Sequence, residues 1–162
     1  MRIQIIETGL GFNSPMPRTS TTGLVIHHTG DNDVDLSAAE IHAMHLANGW
    51  SGIGYHFVVR KDGTVERGRP EWAMGAHAPG ANGWSLGVHV CGSFSAQLPN
   101  EAQLQSLVAL LADKCEEYGI DPFSGIAGHR DMLATECPGE MLYNYLPQIR
   151  QRVSEALSLG VA

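Results

Sequence analysis

The chain has 162 residues, 43% of them hydrophobic and 17% charged, which is one globular domain's worth of material and not a disordered composition. A formal net charge of −7 excludes adhesion to nucleic acid, anionic membranes or anionic wall polymers by charge alone, so any such partner has to be recognised in a pocket. Three cysteines are too few for a disulfide framework and no apolar run reaches membrane-spanning length. The first eight residues also lack the apolar stretch and cleavage site of a signal peptide, which predicts a chain that is cytoplasmic as synthesised.

No repeat or linker divides the chain. Residues 1–22, with Pro15, Pro17 and a Ser/Thr cluster, read as an extended lead-in, residues 23–158 as one catalytic domain, and residues 159–162 as a tail. The apolar run Gly23-Leu24-Val25-Ile26 predicts a strand ending in His27 and His28. Ser37 with Glu40 is a capping box that opens a helix to about Asn48. Tyr55 to Arg60, the Lys61-Asp62-Gly63 turn and Thr64 to Arg67 predict a hairpin. A Gly/Ala/Pro-rich loop covers about 70–84, and Leu86 to Val90 is another strand. Asn100 with Gln103 begins a helix whose apolar stripe is Leu104, Leu107, Val108, Leu111 and Cys115. Gly125-Ile126-Ala127 predicts a last strand, and Pro147 suits the first turn of a terminal helix to about Leu157. Strands alternating with helices imply an α/β layer with its site at the strand ends.

The chemistry concentrates in Gly128-His129-Arg130-Asp131-Met132-Leu133-Ala134-Thr135-Glu136-Cys137-Pro138-Gly139. With a histidine from the first strand, His129 and Cys137 make the two-nitrogen, one-sulfur set of a zinc site with one open position. Adjacent strand residues point to opposite faces, so at most one of His27 and His28 serves. Taken singly, each of these groups also has a structural reading, as a backbone-satisfied histidine or a small buried thiol. His42 and His45, three apart on a helix but without a third ligand nearby, read as a solvated pair on its flank.

Ile26-His27-His28-Thr29, Gly52-Ile53-Gly54-Tyr55-His56-Phe57, Gly75-Ala76-His77-Ala78, Ser85-Leu86-Gly87-Val88 and the Gly128–Gly139 stretch occur in that order. Together they resemble the zinc-dependent N-acetylmuramoyl-L-alanine amidases, the type shared by small phage lysozyme-amidases and animal peptidoglycan recognition proteins. The resemblance covers about residues 20–155. It implies a single α/β domain, a central mixed sheet flanked by helices with zinc in a surface groove. It implies zinc held by His27, His129 and Cys137, and hydrolysis of the amide between N-acetylmuramic acid and L-alanine of the stem peptide. Peptidoglycan or muropeptides would be the partner of a monomer.

Tyr55 matches the family's catalytic tyrosine. Thr135 stands where some phage relatives carry lysine and the recognition-protein branch carries threonine; its hydroxyl could meet the tetrahedral intermediate. His89 departs from a glutamate found in part of the superfamily, and reads either as a general base or as a buried histidine with a backbone partner. His77, Trp50, Trp72, Asn82 and Trp84 are candidate floor and rim residues for substrate, and Arg130 and Asp131 candidate braces of the loop. Competing readings are a non-catalytic peptidoglycan-binding module, which commonly loses a zinc ligand, and another zinc amidohydrolase. A phage endolysin acting on the wall after release, a wall-recycling enzyme and a secreted effector would share this sequence pattern.

Overall fold

Two six-residue strands, β2 (Gly23–His28) and β5 (Ser85–Val90), are buried along their whole length and pair in parallel, from Gly23 opposite Ser85 to His28 opposite Val90. Their near-continuous apolar runs are what a parallel strand covered on both faces requires. In this computed structural model, which describes residues 3–160, they are interior strands of a six-stranded sheet. Residues 1–2 of the expected lead-in and 161–162 of the expected tail lie outside the described residues. Strands β1 (Ile5–Ile6), β3 (Phe57–Val59), β4 (Val65–Arg67) and β6 (Ile126–Gly128) complete the order β1-β4-β3-β5-β2-β6. Every neighbouring pair is parallel except the β3–β4 hairpin. The mixed sheet flanked by helices is the architecture expected from the sequence. The lead-in differs: it supplies β1, an edge strand parallel to β4.

Alternation along the strands sorts the side chains onto two faces. Leu24, Ile26, Phe57, Val59, Leu86, Val88 and Val90 join the main core under helices α2 (Glu101–Tyr118) and α4 (Glu140–Ser158). On the other face, Val58 packs with Ala38 and Ile41 of helix α1 (Ala38–Ala47), and with Ile53 and Cys91. His27, Gly87 and His89 share that second face, so the chemistry is segregated from the main core by strand periodicity alone.

The helix starts follow local chemistry. The Ser37 hydroxyl accepts from the Glu40 amide at 3.1 Å while the Glu40 carboxylate accepts from the Ser37 amide at 2.9 Å, a cap worth about 1 kcal/mol. Asn100 and Gln103 repeat the device for α2, which ends on Gly119 in the left-handed conformation (φ 66°). A four-residue helix α3 (Pro122–Gly125) leads into β6. The terminal helix corrects the sequence reading, because α4 begins seven residues before Pro147 and carries that proline inside. Leu142, Leu146, Ile149 and Val153 form one buried stripe at helical spacing, and burying its first two members outweighs the one backbone hydrogen bond the proline removes. No described helix is long and apolar enough to cross a membrane.

Leu110 is fully buried in the core between α2 and the sheet. Leu110→Ala is expected to lower unfolding free energy by about 2–5 kcal/mol, read from urea denaturation. A loss under about 1 kcal/mol would contradict this packing.

Candidate metal centre and cleft

Strands β2 and β6 run side by side, with Ile26 opposite Gly128, so the next residue of each, His27 and His129, leaves the sheet at one point. Their rings lie 4.5 Å apart. The third group returns on the loop after β6. The Arg130 amide donates to the Cys137 carbonyl (2.9 Å), the Cys137 amide donates to the Thr135 hydroxyl (3.3 Å), and the His28 amide donates to Cys137 Sγ (3.4 Å). Cys137 Sγ then sits 3.7 Å from His27 Nδ1. The ligand atoms of His27, His129 and Cys137 all lie within 4.8 Å of one another, a group able to hold a metal ion. His129 Nε2 is buried without a hydrogen-bond partner, the condition of an atom awaiting a ligand. Burial pushes the Cys137 thiol up to about 11, against the pull of the His28 amide and of Arg130.

The loop is braced from outside. Asp131 accepts from the Gly128 amide (3.0 Å) and from the Tyr143 hydroxyl (2.5 Å). Arg130 pairs with Glu140 at 3.2 Å and lies 4.6 Å over the Tyr143 ring. Both residues thus hold the loop to α4.

The Tyr55 ring packs at a tilt against His27 and His89, with centroids 4.9 Å and 4.8 Å away. Burial, with Cys137 close by, raises its pKa, so the phenol stays protonated and able to donate. Tyr55 and His129 border both lobes of a cleft. One lobe, of 560 Å³, is polar and is lined by His28, Thr29, Asp31, Ser93, Ser95, Thr135, Glu136 and Cys137 among others. The other, of 360 Å³, is lined by His45, Trp50, Ala76, His77, Pro79 and Asn82.

The remaining predicted residues divide. Thr135 faces the polar lobe, and with one lone pair taken by the Cys137 amide its hydroxyl proton is free to donate there. Trp50, 45% exposed and 4.4 Å from the His45 ring, walls the apolar lobe. Asn82 borders the same lobe, but its side-chain oxygen is occupied by the amides of His77 and Ala78, both at 2.9 Å. His77 is buried behind His27, with Nδ1 at 2.9 Å from His27 Nε2; it offers substrate a ring edge and no free polar atom. Trp84 lines neither lobe: it packs over Gly23 and donates to the Gly80 carbonyl at 3.0 Å, plugging its loop. Trp72, though 55% exposed, also lines neither. His89 is buried beneath Tyr55, with Nε2 at 3.1 Å from the Thr29 hydroxyl and Nδ1 unpartnered. Burial lowers its pKa to about 3, and it lines neither lobe.

The expected solvated pair on α1 is corrected. His42 is buried and accepts from the Ile53 amide at 3.0 Å; His45 accepts from the Gly54 amide at 2.9 Å. They clamp the backbone immediately before Tyr55. His28, which the resemblance does not make a ligand, lines the polar lobe, its Nδ1 accepting from the Phe94 amide at 3.1 Å and so leaving Nε2–H free to donate. Its only sequence signal is the paired histidine at a strand end.

Residues 17–140 match the family model described as N-acetylmuramoyl-L-alanine amidase. This chain belongs to that family. It is 38% identical over 144 residues to an N-acetylmuramoyl-L-alanine amidase of Sus scrofa, a match covering 82% of this chain but 24% of that longer protein. It is similar to the solved endolysin N-acetylmuramoyl-L-alanine amidase LysCS from Clostridium intestinale, with TM-score 0.84 and 35% identity over 95% of this chain and 97% of that one. It is also similar to peptidoglycan recognition protein-LE, solved in complex with tracheal cytotoxin, a monomeric diaminopimelic acid-type peptidoglycan, with TM-score 0.77 and 29% identity over 89% and 92% of the two chains.

Burial holds His27 and His56 neutral, and brings His77 and His89 down to about 3 and His45 to about 4. Unfolded, each would protonate near pH 6.5. Stability is therefore fully present above that value and is lost as pH falls from it toward the folded-state values. In metal-free protein the urea midpoint is expected to fall steeply from pH 7 to pH 5, before most carboxylates titrate. A flat profile over that interval would contradict neutral burial.

Proposed function

We propose that the amidase is a zinc enzyme that hydrolyses the amide between the lactyl group of N-acetylmuramic acid and L-alanine of the stem peptide in bacterial cell walls. The observation that carries this reading is the convergence of His27, His129 and Cys137 beside Tyr55, at the junction of the two lobes. Two imidazoles and a thiol suit zinc. Tetrahedral zinc with ordinary bond lengths needs nitrogen and sulfur about 3.6 Å apart, and His27 Nδ1 and Cys137 Sγ are 3.7 Å apart. The chemistry zinc supplies when bound is a nucleophile from water near neutral pH and a polarised carbonyl.

The protein's own groups do the rest. The lobes on either side of Tyr55 accept the two arms of the substrate, which brings the scissile amide to the metal centre. The Tyr55 hydroxyl, kept protonated by burial, donates to the oxygen on which negative charge develops. The Thr135 hydroxyl, which lines the polar lobe, is a second donor there, without lysine's charge. The His28 amide stabilises the Cys137 thiolate that metal binding requires. Trp50 supplies an apolar wall for sugar or peptide. A non-catalytic binding module would need neither a complete ligand set nor a free phenol beside it. We read the enzyme as a monomer acting on the wall, in the manner the endolysin name of its relative implies.

Mass spectrometry of purified muropeptides after incubation with the zinc-loaded protein is expected to show free stem peptide. Release should stop with chelator and in Cys137→Ala, and Tyr55→Phe should lower turnover about 10²–10³-fold. Intact muropeptide at full zinc occupancy, or cleavage indifferent to chelator, would overturn the proposal.

A further inference from the structure

We infer that His77 is a positioning residue for the metal ligand His27, fixing its tautomer through a one-way chain of hydrogen bonds that begins at the Ala81 carbonyl and runs through Ser85. The chain has only one proton assignment. A carbonyl oxygen can only accept, so the Ser85 hydroxyl, 2.6 Å from the Ala81 oxygen, donates its single proton there. Toward His77 Nε2, at 3.3 Å, Ser85 can then only accept, and His77 carries its proton on Nε2. A neutral imidazole has one N–H, so His77 Nδ1 is bare. His27 Nε2, 2.9 Å away, donates to it. That leaves His27 Nδ1 with its lone pair exposed, on the nitrogen that faces Cys137 Sγ. The other assignments need an imidazolium at His77 or at His27, a charge that burial of both rings among other histidines disfavours.

The seat of His77 is built for the ring. A Cβ on Gly87 would lie 2.5 Å from His77 Cγ, and one on Gly75 would lie 2.6 Å from His77 Cδ2, so both glycines are needed to admit the imidazole. Gly87 stands in the middle of β5, where glycine weakens a strand and marks the close approach of another group. Asn82 Oδ1 pins the backbone at His77 and Ala78 from the other side. Slot, backbone clamp and proton chain all converge on one ring orientation. Such partners behind a ligand histidine set its tautomer and basicity.

This inference rests on the amidase reading for the identity of the metal but not for the proton chain, and two measurements separate them. In metal-free protein held in chelator at pH 7.5, ¹⁵N–¹H correlation spectra of ¹⁵N-histidine-labelled enzyme are expected to show both His27 and His77 protonated at Nε2. Competition with a fluorescent zinc chelator is expected to show His77→Ala binding zinc about 10–100-fold more weakly than wild type. His77→Gln, whose amide oxygen can accept from His27 while its nitrogen donates to Ser85, should recover most of that loss. A His27 protonated at Nδ1, or unchanged zinc affinity in His77→Ala, would overturn the inference. If His77→Ala does not fold, the wild-type spectrum decides alone. If wild type binds no zinc, the zinc reading fails while the tautomers still test the chain.

Discussion

The register between β2 and β5 is the constraint on which the site depends. Pairing Gly23 with Ser85, Val25 with Gly87 and His27 with His89 on one face brings a hydroxyl, a gap and an imidazole beside the strand that carries the first ligand. A slip of one residue would send all of these into the core under α2 and α4, and would turn Leu86, Val88 and Val90 toward the cleft. The apolar burial that stabilises the sheet therefore also selects the chemistry. The β2–β6 register does the same for His129, which leaves its strand level with His27.

Around that register the protein gathers six buried imidazoles among the described residues, most of which find complementary hydrogen-bond partners. His56 donates through Nε2 to the Ala73 carbonyl (2.8 Å) and accepts at Nδ1 from the Gly87 amide (3.0 Å), which ties the β3 side of the sheet to β5. His42 and His45 accept backbone amides, and His77 joins two side chains. The layer under the cleft is thus a polar core assembled from groups that each offer one donor and one acceptor. Such a layer is stable only when nearly every member is satisfied. Among the described residues, the two buried side-chain nitrogens without a partner, His129 Nε2 and His89 Nδ1, are both within the layer that surrounds Tyr55 and the metal group.

What was legible in the sequence was local or periodic. The capping boxes at Ser37 and Asn100, the strand before His27 and the hairpin around Gly63 each follow from a few neighbouring residues. The metal group was legible because each member sits in a recognisable context, and His27 was preferred to His28 by the resemblance, not by periodicity. Side-chain direction in the long loop was not legible. Nothing near His77 in sequence shows that it turns inward behind His27, since its seat is made by Gly87 and Ser85 from another element. The roles of His42 and His45 were hidden for the same reason, their partners lying on the loop that follows the helix. Pro147 misled because a local breaker signal competed with a buried stripe that only tertiary packing reveals.

The sheet's borders have a consequence for how the chain behaves in company. Its outermost strands are only two and three residues long, β1 on one side and β6 on the other. At β6 the Ile126 carbonyl is already taken by Arg150 at 2.9 Å. The long, flat, apolar strands that would template intermolecular pairing are all interior. A second molecule meets almost no free backbone ladder to extend. The same ordering that brings His27, His129 and Cys137 together at the β2–β6 side of the sheet thus keeps its two longest strands, β2 and β5, away from both edges.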